Sequence, residues 1–196
     1  MAGKFSLDYE LANISSSGKK PGLLLHCCCA PCASYVLEYL SPFFMITILY
    51  YNPNIQPREE YDKRAGEFNK LLARAEYPNS VDMVIGDYDS DIYKAATALL
   101  RDEPEGGRRC RVCFALRLGE TAMRAKKGGY DFFASTLSVS PHKNAEVLNE
   151  IGSGLAGDLG VKYLCTDFKK RDGYKHSVEL SKKYDLYRQT YCGCIT

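Results

Sequence analysis

One stretch organises this sequence: Leu23-Leu24-Leu25-His26-Cys27-Cys28-Cys29-Ala30-Pro31-Cys32, in which an apolar run passes directly into a set of thiols. The apolar start predicts a short buried strand over Leu23–Cys28. Pro31 suits the first turn of a helix, where its missing N–H costs little. Packing alone does not require four thiols at a strand-to-helix turn, so the stretch indicates metal or redox chemistry.

Outward from this stretch, short apolar runs alternate with amphipathic helices. The further strands are predicted at Phe43–Tyr51, Val81–Ile85, Tyr130–Ala134 and Val161–Cys165. Helices are predicted after Pro31 and Pro57, over 91–101 and 113–127, from Pro141 to about Gly152, and over 176–184. This alternation predicts a parallel sheet with helices on both faces, a Rossmann-like α/β fold.

Length and composition favour one folded domain. The chain has 196 residues, 45% of them apolar and 26% charged, so we expect a single α/β domain over residues 21–196. Residues 1–20 are polar, without the apolar core of a signal peptide, and are predicted to form a loosely held, flexible arm. No apolar run is long enough to cross a bilayer. We expect a cytoplasmic protein with no membrane partner.

Nine cysteines are the most informative feature of the composition. In a reducing cytosol, clustered thiols more often bind metal than form disulfides, and no disulfide is predicted. The pair Cys110-x-x-Cys113 can place both sulfurs on one metal, and Cys192-Gly193-Cys194 offers two more. A [4Fe–4S] cluster and a structural zinc each take four thiolates, so the pattern leaves both open. Cys27 and Cys165 lie in predicted strands and are interpreted as packing residues.

The predicted strands also indicate where these groups meet. Reactive groups of a parallel sheet collect at the carboxyl ends of its strands, near a topological switch point. His26–Cys32, Asp87, Ser135–Lys143 and Cys165–Lys170 each follow a predicted strand. We therefore expect them to share one edge of the sheet.

Taken together, the motifs resemble the cobalamin-independent epoxyqueuosine reductase family. The resemblance rests on the His-x-Cys-Cys-Ala-Pro-Cys stretch at His26–Cys32, on Cys110-x-x-Cys113 and on a Ser-x-x-Lys-like element at Ser140–Lys143. It continues through Tyr-Arg-Gln-x-Tyr-Cys-Gly-Cys at Tyr187–Cys194, and so covers nearly everything from Leu23 onward.

The resemblance implies an enzyme that reduces epoxyqueuosine in transfer RNA to queuosine, using a [4Fe–4S] cluster and an adjacent mononuclear iron. The cluster ligands it implies are Cys29, Cys110, Cys113 and Cys192. The implied ligands of the adjacent iron are Cys28, Cys32 and Cys194. Reduction also needs an electron donor, whose identity the sequence does not indicate.

Two residues are candidate proton donors for the leaving oxygen. His26 titrates near neutral pH, although a histidine at a strand end can equally orient a loop by hydrogen bonding. Tyr191 is the second candidate, with stacking or packing as its alternative role.

Basic residues beside the cysteines are candidates for contacts with transfer RNA carrying epoxyqueuosine at the wobble position. The overall charge of +2 is too small to indicate nucleic-acid binding, so local groups must supply the contacts. The candidates are Arg108, Arg109, Lys169, Lys170 and Arg188. For each of them a solvated charged face is the alternative.

The layout is also similar to the nucleotide-binding domain of PP-loop ATPases that modify transfer RNA. There a glycine- and serine-rich loop follows the first strand, whereas His26–Cys32 occupies that place here. Thiols do not cradle phosphates as backbone N–H groups of glycines do, so we expect the related HUP-type architecture without ATP. A zinc-stabilised RNA-binding module without redox activity is the alternative to the reductase.

Overall fold

A computed structural model of the chain describes residues 7–194, apart from the side chain of Arg171. The strands in this range are β1 Gly22–His26, β2 Met45–Tyr50, β3 Val81–Ile85, β4 Phe132–Ser135 and β5 Lys162–Tyr163. The helices are α1 Leu7–Ser17, α2 Ala30–Leu40, α3 Arg58–Arg74, α4 Ser90–Thr97, α5 Arg108–Gly128, α6 Ala145–Leu159 and α7 Gly173–Lys183. Short 3₁₀ turns lie at Ala98–Leu100, Thr136–Val139 and Lys170–Asp172.

The five strands form one parallel sheet in the order β3-β2-β1-β4-β5. The chain builds outward from β1 through β2 to β3, then crosses back to place β4 on the other side of β1. His26 therefore pairs with Leu49 of β2 on one side and with Ser135 of β4 on the other. The topological switch point lies at the carboxyl ends of β1 and β4, and this architecture confirms the predicted Rossmann-like fold.

Both faces of the central strands β1 and β4 are covered, which explains why these strands are apolar without alternation. Leu23 and Leu25 point to the face covered by α2, α3 and α7. Leu24 and Phe133 point to the opposite face, where α5 and α6 pack. Neighbouring side chains of one strand thus enter two different cores.

Two helices differ from their predicted bounds. Helix α5 begins at Arg108 rather than 113, so Cys110 and Cys113 both lie in its first two turns. Helix α6 begins after Asn144 rather than at Pro141, because the Asn144 side chain accepts hydrogen bonds from two backbone N–H groups of the first turn. Gly152 does not end this helix. A Cβ there would lie 2.4 Å from the Tyr163 ring, so its absence allows close packing of α6 on β5.

The segment before β1 is more ordered than the predicted arm. Residues 7–17 form α1, and its Leu11 and Ile14 are buried in the same core as α2. The helical spacing of these apolar residues gives the segment a face to bury. Residues 1–6 of the predicted arm lie outside the described residues. Among the described helices, none combines the length and the apolar character that a membrane crossing needs.

Candidate metal centre

The loop after β1 brings three thiols together. Cys29 is the N-cap of α2, and Pro31 and Cys32 lie in its first turn. The sulfurs of Cys28, Cys29 and Cys32 all lie within 4.8 Å of one another, a spacing that suits a shared metal. Cys28 Sγ and Cys29 Sγ are 3.8 Å apart, although adjacent side chains usually point in different directions. We call these three residues the N-terminal thiol group.

His26 ties this loop to both neighbouring strands. Its ring is fully buried, with Nε2 3.0 Å from the Tyr51 carbonyl oxygen and Nδ1 2.9 Å from Ser135 Oγ. Because a carbonyl only accepts, Nε2 donates, and Nδ1 accepts from the hydroxyl. Burial and the nearby charge of Arg117 together lower the pKa of His26 to about 4. These contacts match the loop-orienting role, and they leave the ring neutral and without a face toward a substrate.

A second set of thiols comes from α5 and from the segment after α7. We call Cys110, Cys113, Cys192 and Cys194 the C-terminal thiol group. Cys110 and Cys113 are buried, and Cys110 Sγ accepts a hydrogen bond from the Gly106 N–H at 3.2 Å. Burial raises the pKa of Cys113, Arg117 opposes this, and the charges of Cys192 and Cys110 raise it further. Cys113 therefore lies close enough to Cys110 and Cys192 for their charges to act on its pKa.

The turn that carries Cys192 and Cys194 needs a glycine between them. Gly193 has a φ of +97°, in the region that favours glycine. A Cβ there would lie 3.2 Å from Arg64 Nη2 and 3.3 Å from the Ile55 side chain. The Gly193 carbonyl oxygen accepts a hydrogen bond from the Gln56 N–H at 2.9 Å. The turn is thus packed tightly against the segment that precedes α3.

A cavity of about 540 Å³ opens between the two thiol groups. Cys28 and Cys32 line it from one side, and Cys192 lines it from the other. Tyr191, with 47% of its surface exposed, also lines the cavity, and its ring lies under the Arg64 guanidinium at 5.2 Å. Tyr191 is therefore an accessible side chain at the edge of the cavity.

Two buried cations also line the cavity, Arg117, which the motifs do not include, and Lys143, which ends the Ser-x-x-Lys-like element. Arg117 is 2% exposed, and its Nε donates to the Cys113 carbonyl oxygen at 3.2 Å. Within residues 7–194, no carboxylate forms an ion pair with it. Lys143 Nζ lies 2.6 Å from Glu105 Oε1 and 3.5 Å from Cys192 Sγ. Arg117 follows Cys113 by four residues on α5, so helical spacing alone predicts that they share a face.

The cysteine thiols differ in the direction in which their pKa values are shifted. Hydrogen bonding from Cys28 and Cys32 lowers the pKa of Cys29 well below its usual value. Hydrogen bonding from Cys194 lowers the pKa of Cys192 to about 5, with Lys143 and Arg117 acting in the same direction against burial. In each thiol group, one cysteine therefore has a lowered pKa, which favours the thiolate, the form that ligates metals.

The remaining cysteines lie apart from these contacts. Cys27 is fully buried and in the core beneath α2, and burial raises the pKa of its thiol. Cys165 is partly buried, with its sulfur 3.5 Å from Ser153 Oγ. The burial of Cys27 agrees with the packing role predicted for it, whereas Cys165 lies after β5 rather than in it and belongs to none of the described core clusters.

The five basic residues predicted to contact RNA differ in the exposure of their side chains. Arg109 is buried, 8% exposed, and donates to the Arg101 carbonyl oxygen at 2.6 Å. This corrects the prediction for Arg109, because the early start of α5 turns its side chain inward. Lys169 is also partly buried, and it donates to the carbonyl oxygens of Ser138 and Lys143. It supports the loop after β4.

The other three candidates are accessible. Arg108 is exposed and paired with Glu103 at 2.6 Å, and Lys170 is exposed. Arg188 lines the cavity, with its guanidinium 5.0 Å from the Tyr174 ring centre. Arg188 forms no ion pair with any described carboxylate, so its charge is available to an anionic partner.

The fold and its gathered thiols define a Rossmann-like α/β protein with a thiol-rich cavity at the switch point, suited to metal-binding redox chemistry. A family model described as epoxyqueuosine reductase QueH matches residues 23–196. The chain belongs to this family, whose members are oxidoreductases.

Several curated proteins named epoxyqueuosine reductase QueH are similar to the chain. The one from Streptococcus pyogenes serotype M1 is 46% identical, over 90% of this chain and 70% of its own length. The one from Staphylococcus epidermidis is 40% identical, over 98% and 84%. The one from Thermotoga maritima is 36% identical, over 88% of each chain.

Proposed function

We propose that this protein reduces the epoxide of epoxyqueuosine in transfer RNA and so forms queuosine in the cytoplasm. The observation that carries the proposal is the gathering of two thiol groups, from three distant segments, around one cavity in a member of this family. The reaction consumes two electrons and two protons. It removes the epoxide oxygen as water and leaves an alkene.

The donor set fits a [4Fe–4S] cluster together with an adjacent iron. The two thiol groups together contain seven thiols, three of which line the cavity, whereas one such cluster takes four. We assign Cys29, Cys110, Cys113 and Cys192 to the cluster and Cys28, Cys32 and Cys194 to the iron. This division draws on both thiol groups for each centre, and it makes the two centres neighbours, because the sulfurs of Cys28 and Cys29 are 3.8 Å apart. When bound, these groups supply single electrons and a Lewis acid for the epoxide oxygen.

The protein's own side chains complete the chemistry. Arg117 and Lys143 place positive charge beside the cavity, where it stabilises the negative charge that develops on the leaving oxygen. Tyr191 is the proposed proton donor, because its side chain lines the cavity and is accessible. His26 holds the loop that carries the N-terminal thiol group and is given no proton-transfer role.

RNA contacts are proposed for the accessible basic residues around the cavity. The wobble base must leave its stack to reach the thiols, and aromatic faces commonly receive such bases. Tyr174 and Tyr191 line the cavity and supply these faces. Arg188, Lys170 and Arg108 are assigned to phosphates. The electron donor is a separate reductant, and ATP is given no role.

The test is anaerobic purification followed by iron and sulfide analysis, then incubation with dithionite and transfer RNA that contains epoxyqueuosine. We expect a brown protein with bound iron and sulfide, and queuosine among the digested nucleosides. Cys113→Ser should lose the cluster and the activity, because it removes one of the four thiolates assigned to that cluster. Cys165→Ser is the matched control and should retain both.

The result also separates the two candidate functions. A colourless protein with one zinc per chain, bound to RNA but unable to form queuosine, would replace the reductase with the zinc-stabilised RNA-binding module. Full iron and sulfide in Cys113→Ser would remove that residue from the ligand set.

A further inference from the structure

Helix α3 contains a buried ion pair that the motifs do not include. Arg64 Nε lies 2.7 Å from Glu60 Oε1, and their side chains are only 2% and 9% exposed. Taking both charges out of water is costly, and a pair of this kind is weak evidence for stability. The remaining donors of the Arg64 guanidinium indicate another use.

Those donors reach the segment that carries the last two thiols. Arg64 Nη1 donates to the Cys192 carbonyl oxygen at 3.0 Å, and Nη2 donates to the Tyr191 carbonyl oxygen at 3.4 Å. One planar guanidinium thus pairs with Glu60 of the same helix and donates hydrogen bonds to the two consecutive carbonyl oxygens of Tyr191 and Cys192. Only the fixed fork of an arginine offers donors in this arrangement.

The same helix holds the segment at a second place. The Glu60 carboxylate accepts from the Tyr187 hydroxyl at 3.3 Å, and Glu67 Oε2 accepts from the Tyr187 backbone N–H at 2.7 Å. The segment is therefore attached to α3 both at its start and at the turn that contains Gly193.

Arg64 also faces the other thiols. It lines the cavity together with Cys28 and Cys32. Although burial acts against it, the pKa of Arg64 is raised by Glu60 and by the negative charges of Cys28 and Cys29. Arg64 therefore lies between the N-terminal thiol group and the turn.

We propose that Arg64, oriented by Glu60, is a positioning residue that holds the Cys192-Gly193-Cys194 turn against the N-terminal thiol group. This role rests on the proposed function, because a fixed distance between the two sets of thiols matters only if they ligate neighbouring centres. Without the guanidinium, the carbonyl oxygens of Tyr191 and Cys192 lose the two hydrogen bonds that they accept from Arg64.

The test measures the alkylation rate of each cysteine by mass spectrometry in the full-length chain, after iron has been removed under reducing conditions. In Arg64→Gln, we expect Cys192 and Cys194 to react severalfold faster than in the parent, with the rate at Cys165 unchanged. The same variant, purified anaerobically, should retain less iron. Arg64→Lys should recover part of the iron, because it keeps the charge opposite Glu60 but cannot reach both carbonyls.

Arg58→Gln is the matched control. Arg58 pairs with Asp62 on the same helix at the same i,i+4 spacing, but the two side chains are 61% and 53% exposed. It should leave the alkylation rates and the iron content as they are. If Arg64→Gln does not fold, Glu60→Gln tests the same proposal, since it frees the guanidinium from its helix.

Unchanged rates at Cys192 and Cys194 would overturn the proposal, as would an equal rise at all cysteines, which signals general loosening. The alkylation pattern of the iron-free chain does not depend on which metal the protein binds. A parent protein without iron but with the expected pattern would therefore overturn the proposed function, while still showing that Arg64 holds the turn in place.

Discussion

Arg117 carries a full positive charge into the interior. A buried charge is costly unless it is paired, and the partners here are thiols rather than carboxylates. Its side chain bonds to the Cys113 backbone, and its charge influences Cys28, Cys113 and Cys192. Since these residues belong to both thiol groups, one guanidinium offsets negative charge on both sides of the cavity. The interior of the protein is therefore arranged for an anionic site.

Gly193 is the residue whose replacement should disturb the turn most directly. Gly193→Ala adds a Cβ close to Arg64 and Ile55 at a φ of +97°. We expect a loss of about 1–3 kcal/mol in the free energy of unfolding and reduced iron binding. Urea denaturation and iron analysis measure these two effects.

Gly66→Ala provides the control for that change. Gly66 lies within α3, and a Cβ there would meet no heavy atom within 4 Å. This substitution should stabilise the protein by about 0.5–1 kcal/mol and leave the iron content unchanged. Equal effects of the two substitutions would contradict the special role of Gly193.

At the scale of single elements, the strands were more predictable than the helix ends. A continuous apolar run such as Leu23–Leu25 predicts a strand covered on both faces, and β1 confirms it. The first and last residues of α6 depend on contacts that the spacing of apolar residues in the sequence does not reveal. The start is set by the Asn144 cap, and the end is set by Gly160, whose φ of +69° forms the C-cap. Gly152 was the wrong signal for the end, because its missing Cβ allows close packing against Tyr163.

The cap of α6 can be tested by itself. Asn144→Ala removes the acceptor for the N–H groups of Glu146 and Val147, at 2.9 and 3.3 Å. We expect a loss of about 1 kcal/mol in the free energy of unfolding. Asn144→Asp, which retains an acceptor, should keep most of the stability. Equal losses in both variants would mean that the cap does not set the start of this helix.

At the scale of the whole molecule, the sequence predicted which cysteines meet but not what holds them. The motifs identify Cys28, Cys113 and Cys192 because thiols are rare and clustered. Arg64 could not be distinguished from the other charged residues of α3, since only the folded chain shows that it is buried. Arg109 was predicted to contact RNA, but nothing in its spacing reveals that its side chain turns inward and is buried.

RNA binding depends on the whole surface around the cavity, and Arg188 is the residue that tests it. Arg188→Gln should weaken the binding of transfer RNA and reduce the slope of log affinity against log salt by about one, since it removes one phosphate contact. Binding measured at several salt concentrations gives that slope.

Lys127→Gln is the control with the same change in charge. Lys127 is exposed at the end of α5, which leads into the start of β4 at the opposite edge of the sheet from the cavity. It should leave the slope unchanged. Equal slopes for both variants would relocate the phosphate contacts away from Arg188.

The distance between the cysteines along the chain also has a consequence for the order in which they are translated. The N-terminal thiol group leaves the ribosome early, whereas Cys192 follows about 160 residues after Cys32. The sulfurs of the N-terminal thiol group are therefore translated well before Cys192. If the two thiol groups share metal centres as proposed, those centres can be completed only after Cys192 has been translated.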